Sequence, residues 1–138
     1  MTRDDFESYM IRMGIDYEEV EDGLWLIEPT NGAPSVVVNW SPPVALLRLK
    51  VMHLPEAMSD MDLAPLFRQL LEFNATDIVH GSYGIEEGDI ILSDALELET
   101  LDFEELRNSY ESMVFAASSH TPVIAGLTGA AAVAGEEA

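Results

Sequence analysis

Residues 74–106 read NATDIVHGSYGIEEGDIILSDALELETLDFEEL, and this segment contains the clearest fold signals in the chain. Two runs rich in apolar and β-branched residues, DIVHGSY and DIILSDALEL, flank the turn sequence GIEEG, a pattern typical of a β-hairpin. The residues that follow predict a helix with Asp102 at its cap, since Glu105 lies three positions later, as in a capping box. Leu101 and Leu106 are spaced to pack across that helix start as a hydrophobic staple.

The residues before this segment predict a helix, several strands and a second helix. Thr2 followed by Asp5 is typical of a capped helix start, and Gly14 is a natural helix stop. Four runs bounded by turn residues predict strands: IDYEEV, LWLIEP, SVVVNW and VALLRLKVMH. A second helix is expected from near Asp62 to Asn74, which suits a left-handed cap. The fold class is therefore α+β: helix, three- to four-stranded antiparallel meander, helix, β-hairpin, helix.

The length of the chain fits a single domain. We place this domain at residues 1–118 of the 138 residues. Residues 119–138 are rich in Ala and Gly and have no charged residue before Glu136, so we expect a C-terminal tail that is disordered or loosely docked.

The charge of the chain excludes several classes of partner. Its net charge is −20, with only six Lys and Arg, so nucleic acid and anionic membranes would be repelled. A basic partner protein, or solubility alone, fits this charge better. The absence of cysteine excludes disulfides and thiolate chemistry. The N-terminus has no signal-peptide pattern and no run is long enough to span a membrane, so we expect a cytoplasmic protein.

The three histidines are the natural candidates for metal or acid–base chemistry. His53, His80 and His120 have no second ligand at the spacing of a known metal motif, and the glycines do not form a phosphate-binding loop. We therefore expect no metal, no cofactor and no enzymatic activity. Most carboxylates of residues 74–106 fall in a turn, on an outward strand face or at a helix start, where they solvate the surface.

Asp94 is the exception, because it interrupts an otherwise apolar strand face. A buried carboxylate needs a donor, so we expect it to pair with Arg68 or Arg107, or to be turned outward by a bulge. The alternative is a small acid–base or metal-assisted enzyme built on Asp77, His80 and Asp94. That alternative requires the three side chains to converge within about 4 Å.

Some apolar residues do not fit a single core. The predicted second helix has apolar residues over about half of its circumference, which is wider than one core requires. We therefore expect it to bury two faces, one of them against more of this domain or a second copy. Ile11 and Phe115 lie on the polar sides of their helices, and an exposed phenylalanine indicates a docking surface or a place where the tail folds back.

From Asp62 to Met113 the chain resembles the type III secretion chaperone-like fold, and within it the YbjN-like family. The resemblance rests on LFRQLLEFN, on the hairpin GSYGIEEGDIILSDALEL and on LDFEEL at the start of the last helix. The upstream elements agree with the α-β-β-β-α-β-β-α order of that family, so about 115 residues are covered.

The resemblance implies a homodimer that holds an extended or partly unfolded segment of a client protein on apolar patches, without catalysis. The helix nearest the two-fold axis supplies the expected dimer residues, Leu66, Phe67, Leu70 and Phe73. The expected client-binding residues are Ile11, Val36, Val38, Trp40 and Phe115. A ligand-sensing regulatory domain is the second alternative, and it would require a concave apolar pocket rather than a flat patch.

Overall fold

Three helices and six strands occur in the order that the sequence predicts, in a computed structural model that describes residues 1–28 and 32–129. The first part comprises α1 (Arg3–Arg12), β1 (Tyr17–Glu21), β2 (Leu24–Ile27), β3 (Val36–Ser41) and β4 (Val44–His53). It is followed by α2 (Asp60–Thr76), β5 (Ser82–Glu86), β6 (Asp89–Glu97) and α3 (Phe103–Leu127). The α+β class, the antiparallel meander and the later hairpin are confirmed, and the meander has four strands.

All six strands form one antiparallel sheet with the order β1-β2-β3-β4-β6-β5. The hairpin joins the meander through β6, which pairs with β4 along nearly its whole length, from Val44 opposite Glu97 to His53 opposite Asp89. The two edges of the sheet are therefore β1 and β5. This topology brings α2, which precedes the hairpin, next to the β5 edge.

The core lies on one face of the sheet, because burial alternates along the strands. In β4, Ala45, Leu47 and Leu49 are fully buried while their neighbours are partly exposed. Apolar residues of all three helices pack against this strand face in one core, for example Phe6 of α1 and Leu66 of α2. The opposite face of the sheet has no helix packed on it among the described elements.

At the start of each helix, a side chain accepts a hydrogen bond from a backbone amide of the first turn. In α1, the Thr2 hydroxyl accepts a hydrogen bond from the Asp5 amide (3.1 Å), and the Asp5 carboxylate accepts one from the Thr2 amide (3.0 Å). In α3, Asp102 accepts from the Glu105 amide at 2.8 Å, as predicted. The start of α2 differs from the prediction: it lies at Asp60, because Ser59 is the cap and Asp62 is the third residue of the same capping box.

Around Asn74 the structure also differs from the prediction. Asn74 is not a left-handed cap, since α2 continues to Thr76. Its side-chain amide instead bonds both backbone groups of Tyr83, accepting from the amide (2.7 Å) and donating to the carbonyl (3.2 Å). The strand β5 begins only at Ser82, so His80 precedes the strand rather than lying within it.

The last helix extends past the predicted domain boundary at residue 118. It continues to Leu127 because His120 and Ile124 are buried against the core, which compensates for the helix-weakening Pro122 and Gly126. Residues 119–127 thus belong to α3, and Gly129 follows with φ of +80°. The rest of the predicted tail, residues 130–138, lies outside the described residues. Within the described ranges, no helix is long and apolar enough to cross a membrane.

Candidate partner-binding surfaces

The expected client residues on β3 lie inside the molecule. Val36 and Val38 are fully buried in the core, and Trp40 is half-buried with its ring 5.6 Å from that of Phe6. The sequence suggested an exposed patch, but the alternation of this strand directs these side chains toward the helices. Val36 and Val38 are therefore not accessible to a client in this structure.

Two of the predicted surface residues are exposed. Ile11 is 62% exposed on α1, and Phe115 is 74% exposed on α3. Both were identified from their position on the polar side of an amphipathic helix, and that reasoning holds because each helix presents a single buried stripe.

The α2 residues that were expected at a dimer interface are mostly buried within the monomer. Leu66, Leu70 and Phe73 belong to the core, while Phe67 is half-buried. The wide apolar arc of this helix is largely explained by its position between the β5 edge and α3, since both contact it. A second copy is therefore not needed to cover Leu66, Leu70 or Phe73.

One flank of α2 nevertheless leaves apolar side chains open to solvent. Phe67, Leu71 and Ile85 surround a groove of about 250 Å³ between α2 and β5, which we call the α2 groove. Leu71 is 69% exposed, and Ile85 is also exposed. At this groove Asn74 occupies the outward-facing backbone groups of Tyr83, so β5 cannot accept another strand at that residue.

A second apolar groove lies beside α3. Val79, Phe115 and Val123 surround a depression of about 430 Å³, which we call the α3 groove. Val79, in the segment between α2 and β5, is 81% exposed, and Val123 is exposed as well. Three large apolar side chains that are distant in sequence thus converge on one concave surface, an arrangement that often marks a docking site.

Beside the α3 groove lies a group of four residues that we call the His120 cluster: Phe73, Asp77, Tyr83 and His120, of which all but Tyr83 line the groove. The His120 ring stacks on Phe73 with 3.6 Å between centroids and 4° between planes. Its Nδ1 lies 2.7 Å from the Tyr83 hydroxyl, and its Nε2 lies 3.0 Å from the Asp77 carboxylate. The cluster links α2, β5 and α3.

Burial first, and then the nearby charge of Asp77, raise the pKa of Tyr83 to about 12. The hydroxyl therefore remains protonated. Because the Asp77 carboxylate can only accept, Nε2 of His120 carries the proton and donates to it, and Nδ1 of the neutral ring accepts from the Tyr83 hydroxyl. Sequence reasoning assigned His120 to the tail. Its place on a helix could have been predicted, because Ala116, His120 and Ile124 are spaced four residues apart in a segment without charged residues.

Asp94 has a different partner from the one expected. Its carboxylate accepts a hydrogen bond of 2.6 Å from the Ser109 hydroxyl. Arg68 pairs with Glu72 and Arg107 pairs with Glu104, one helical turn away in each case. The helix α3 packs on β6, which brings the buried Ser109 within reach of Asp94.

Asp77, His80 and Asp94 do not form one site. Asp77 is bonded to His120, and it lines the α3 groove together with His80. Asp94 lines a separate depression on the sheet with Arg48 and Ser93. No group of three or more metal-ligating side chains is found within residues 1–28 and 32–129.

The acids of the β5–β6 hairpin pair with the basic residues of β4. Arg48 forms an ion pair with Glu86, and Asp89 contacts both His53 (2.7 Å) and Lys50 (3.5 Å). The hydrogen bond from His53, followed by the charge of Lys50, lowers the pKa of Asp89. These pairs attach the hairpin to the meander and leave no cationic patch on this part of the surface.

The single antiparallel sheet, with the helices on one face in the order α-β-β-β-β-α-β-β-α, is that of the type III secretion chaperone-like fold, with one strand more before α2 than the order expected from the sequence resemblance. The sequence agrees with this assignment: residues 1–129 match the family model CesT_Tir_1. The chain therefore belongs to this family of type III secretion chaperones. No protein of curated function matches the sequence.

Solved structures share the fold at low sequence identity. A chain of the heterodimeric ExoU–SpcU complex from the type III secretion system of Pseudomonas aeruginosa has a TM-score of 0.66 and 14% identity, over 83% of this chain and 93% of that one. YbjN, a proposed transcription regulator from E. coli, has a TM-score of 0.63 and 13% identity, over 88% and 93%. The structure of the Yersinia pestis chaperone SycH in complex with a fragment of YscM2 has a TM-score of 0.56 and 14% identity, over 82% of this chain and 93% of that one.

Proposed function

We propose that this chain is a non-enzymatic chaperone or adaptor that binds an extended or partly unfolded segment of a partner protein in the cytoplasm. The observation that carries the proposal is the convergence of exposed Val79, Phe115 and Val123 on the α3 groove. Burying a phenylalanine or valine side chain contributes about 1.5–3 kcal/mol, so three such residues supply a substantial part of a binding free energy. The family match and the solved chaperone complexes support a role in partner binding.

The groove is suited to an apolar segment with basic flanks. Its rim includes the Asp77 carboxylate and no lysine or arginine among the described residues that line it. Five of the six Lys and Arg of the chain already pair with acids, so the net charge of −20 is carried by acidic residues that have no basic partner in the chain. A basic partner would therefore approach faster and would bind less well at high salt.

Site-specific photo-crosslinking tests this proposal. A photoreactive phenylalanine analogue at position 115 should give an adduct with a partner protein in cells, and the variant Val79→Asp with Val123→Asp should abolish that adduct. The same analogue at exposed Ile11 tests whether α1 contributes a second contact. Adducts at position 115 that survive both aspartates would contradict binding in the α3 groove.

We propose in addition that the chain forms a homodimer through the α2 groove. Exposed Leu71 and Ile85, with half-buried Phe67, supply an apolar surface beside a strand edge that Asn74 blocks at Tyr83. Packing between side chains of the two copies is therefore favoured over strand addition at that residue. Of the residues expected at the interface, only Phe67 remains in this proposal, because Leu70 lines the α2 groove but is buried in the core.

Sedimentation equilibrium at tens of micromolar measures the oligomeric state. The wild type should have twice the mass of one chain, and Leu71→Glu should be monomeric because it introduces a buried charge at the interface. Phe115→Glu is the matched control and should remain dimeric. A monomeric wild type would exclude the dimer while leaving the α3 groove proposal intact.

A further inference from the structure

The α3 groove extends toward the end of the helix that forms one of its walls. Ser112, Phe115, Ser119 and Val123 line the groove at spacings of three and four residues, so they form one stripe along α3. Gly126 continues this stripe three residues after Val123. It has no side chain, and the space that a Cβ would occupy there is open. The path from the end of α3 into the groove is therefore not obstructed at Gly126.

The chain also leaves the helix axis close to the groove. The helix ends at Leu127, and the amide of Thr128 donates to the carbonyls of Ile124 (3.1 Å) and Ala125 (3.3 Å). Gly129 then has φ of +80°, the left-handed conformation that commonly follows the last turn of a helix and changes the direction of the chain. The described chain thus ends at a turn, two helical turns beyond Val123 at most.

The residues that follow match the groove in their chemistry. Residues 130–134 read AAAVA, and the first charged residue after them is Glu136. The exposed side chains of Val79, Phe115 and Val123 give the groove an apolar surface that such a segment can cover. The Asp77 carboxylate, which also lines the groove, would repel an acidic segment but not an uncharged one.

The length of this segment fits the groove as well. Along α3, Val123 lies about 9 Å and Phe115 about 21 Å from Gly129, at a rise of about 1.5 Å per residue. An extended chain covers about 3.3 Å per residue, so residue 133 reaches about 13 Å back from Gly129 and residue 135 about 20 Å. Val133, the one large side chain of the segment, can therefore reach the space between Phe115 and Val123. Glu136 follows beyond Phe115, so its charge need not enter the groove.

We propose that residues 130–134 bind in the α3 groove of their own chain, with Val133 between Phe115 and Val123, and compete there with the partner segment. The competition rests on the proposed partner binding, whereas the contact itself does not. Because a short tether holds the segment beside the groove, its effective concentration is in the millimolar range, and a weak contact is enough to populate it. A partner binds only the molecules in which the groove is free, so its apparent affinity is reduced by that fraction.

Paramagnetic relaxation enhancement in the full chain tests the contact. The chain contains no cysteine, so Ala134→Cys provides a single attachment site for a nitroxide label. The label should broaden the methyl signals of Val79 and Val123, which line the groove. It should broaden those of Val51 and Val114 less, because these residues line a depression on the opposite flank of α3.

Two variants of the labelled chain make the test specific. Val133→Asp should remove the excess broadening of Val79 and Val123, because it would place a charge between apolar side chains and near the Asp77 carboxylate. Ala138→Asp adds the same charge outside the segment and should leave the broadening unchanged. Equal broadening on the two flanks of α3, or broadening that survives Val133→Asp, would overturn the proposal.

A mixed sample identifies the chain that supplies the segment. One chain then carries the nitroxide and another carries the isotope label, so only contacts between chains are detected. The broadening of Val79 and Val123 should disappear in this sample. If it persists, the segment comes from a second copy, and the proposal of a contact within one chain is wrong.

The competition is tested with the photoreactive analogue at position 115. At equal expression, the full chain with Val133→Asp should give about two- to tenfold more partner adduct than the wild type, because the groove is free in more molecules. Ala138→Asp should give the same yield as the wild type. Equal yields from all three chains would exclude competition. If no chain gives a partner adduct, the proposed function is contradicted, and the relaxation experiment still decides whether the segment binds the groove.

Discussion

His120 shows how one side chain can hold three elements together. It stacks on Phe73 of α2, accepts a hydrogen bond from Tyr83 of β5 and donates one to Asp77 at the end of α2, while its own backbone belongs to α3. Replacing it would leave the Tyr83 hydroxyl without its partner in a buried position, and such a group costs about 1–3 kcal/mol.

His120→Ala should therefore lower the free energy of unfolding by about 2–4 kcal/mol, from the lost hydrogen bonds and the cavity together. Urea denaturation followed by circular dichroism measures this change. His80→Ala is a suitable control, because His80 is not in the core and should change stability by less than about 0.5 kcal/mol. Similar effects of the two substitutions would show that the His120 cluster is not an anchor.

Asp89 makes a stabilising contribution that depends on pH. Its pKa is lowered in the folded protein, so it favours folding above the unfolded-state carboxyl pKa of about 4, and this contribution is lost as the pH falls through the lower folded value. The unfolding free energies of the wild type and of Asp89→Asn should accordingly differ at pH 6 and converge near pH 2. A difference that persists to low pH would assign the effect to packing rather than to charge.

At the scale of elements, the end of α3 determines whether the α3 groove exists. Val123 lies on its rim, His120 in its floor, and Ile124 anchors the same turns in the core. These residues lie beyond the predicted boundary at residue 118, so a domain cut there would lack one side of the groove.

Truncation after Ser118 should destabilise the protein by several kcal/mol, since it removes buried Ile124 and the His120 contacts. Truncation after Gly129 leaves every described contact in place and should change stability by less than about 0.5 kcal/mol. Thermal unfolding of the two truncated proteins compares them directly. Equal melting temperatures would mean that residues 119–129 do not contribute to the core.

At the scale of the whole molecule, the net charge of −20 opposes folding. Like charges on a compact surface repel each other, and salt screens this repulsion over about 10 Å at 0.1 M ionic strength. The ion pairs described above neutralise only a few of the 26 acidic residues.

The stability of this protein should therefore increase with ionic strength, whereas that of a protein stabilised by surface ion pairs would decrease. The urea midpoint at pH 7 should rise as sodium chloride increases from 10 mM to 0.5 M, and sucrose at equal osmolality controls for general solvent effects. A midpoint that falls with salt would show that the ion pairs outweigh the net repulsion.

The order of helices and strands, the helix caps at Thr2 and Asp102, and the exposure of Ile11 and Phe115 could all be predicted from the sequence. These features depend on hydrogen bonds three residues apart and on periods of two or about 3.6 residues, which are local properties of the chain. The resemblance to secretion chaperones came from the same local pattern.

Only the tertiary structure decided which residues bond to Asp94 and His120 and whether Val36 and Val38 are buried. It also decided which flank of α2 is covered and which is open to solvent. Each depends on which elements pack together across the sheet, and contacts between residues far apart in sequence leave no periodic signal. Alternation along β3 shows that Val36 and Val38 share a face, but only the packing of the helices determines that this face is the inner one.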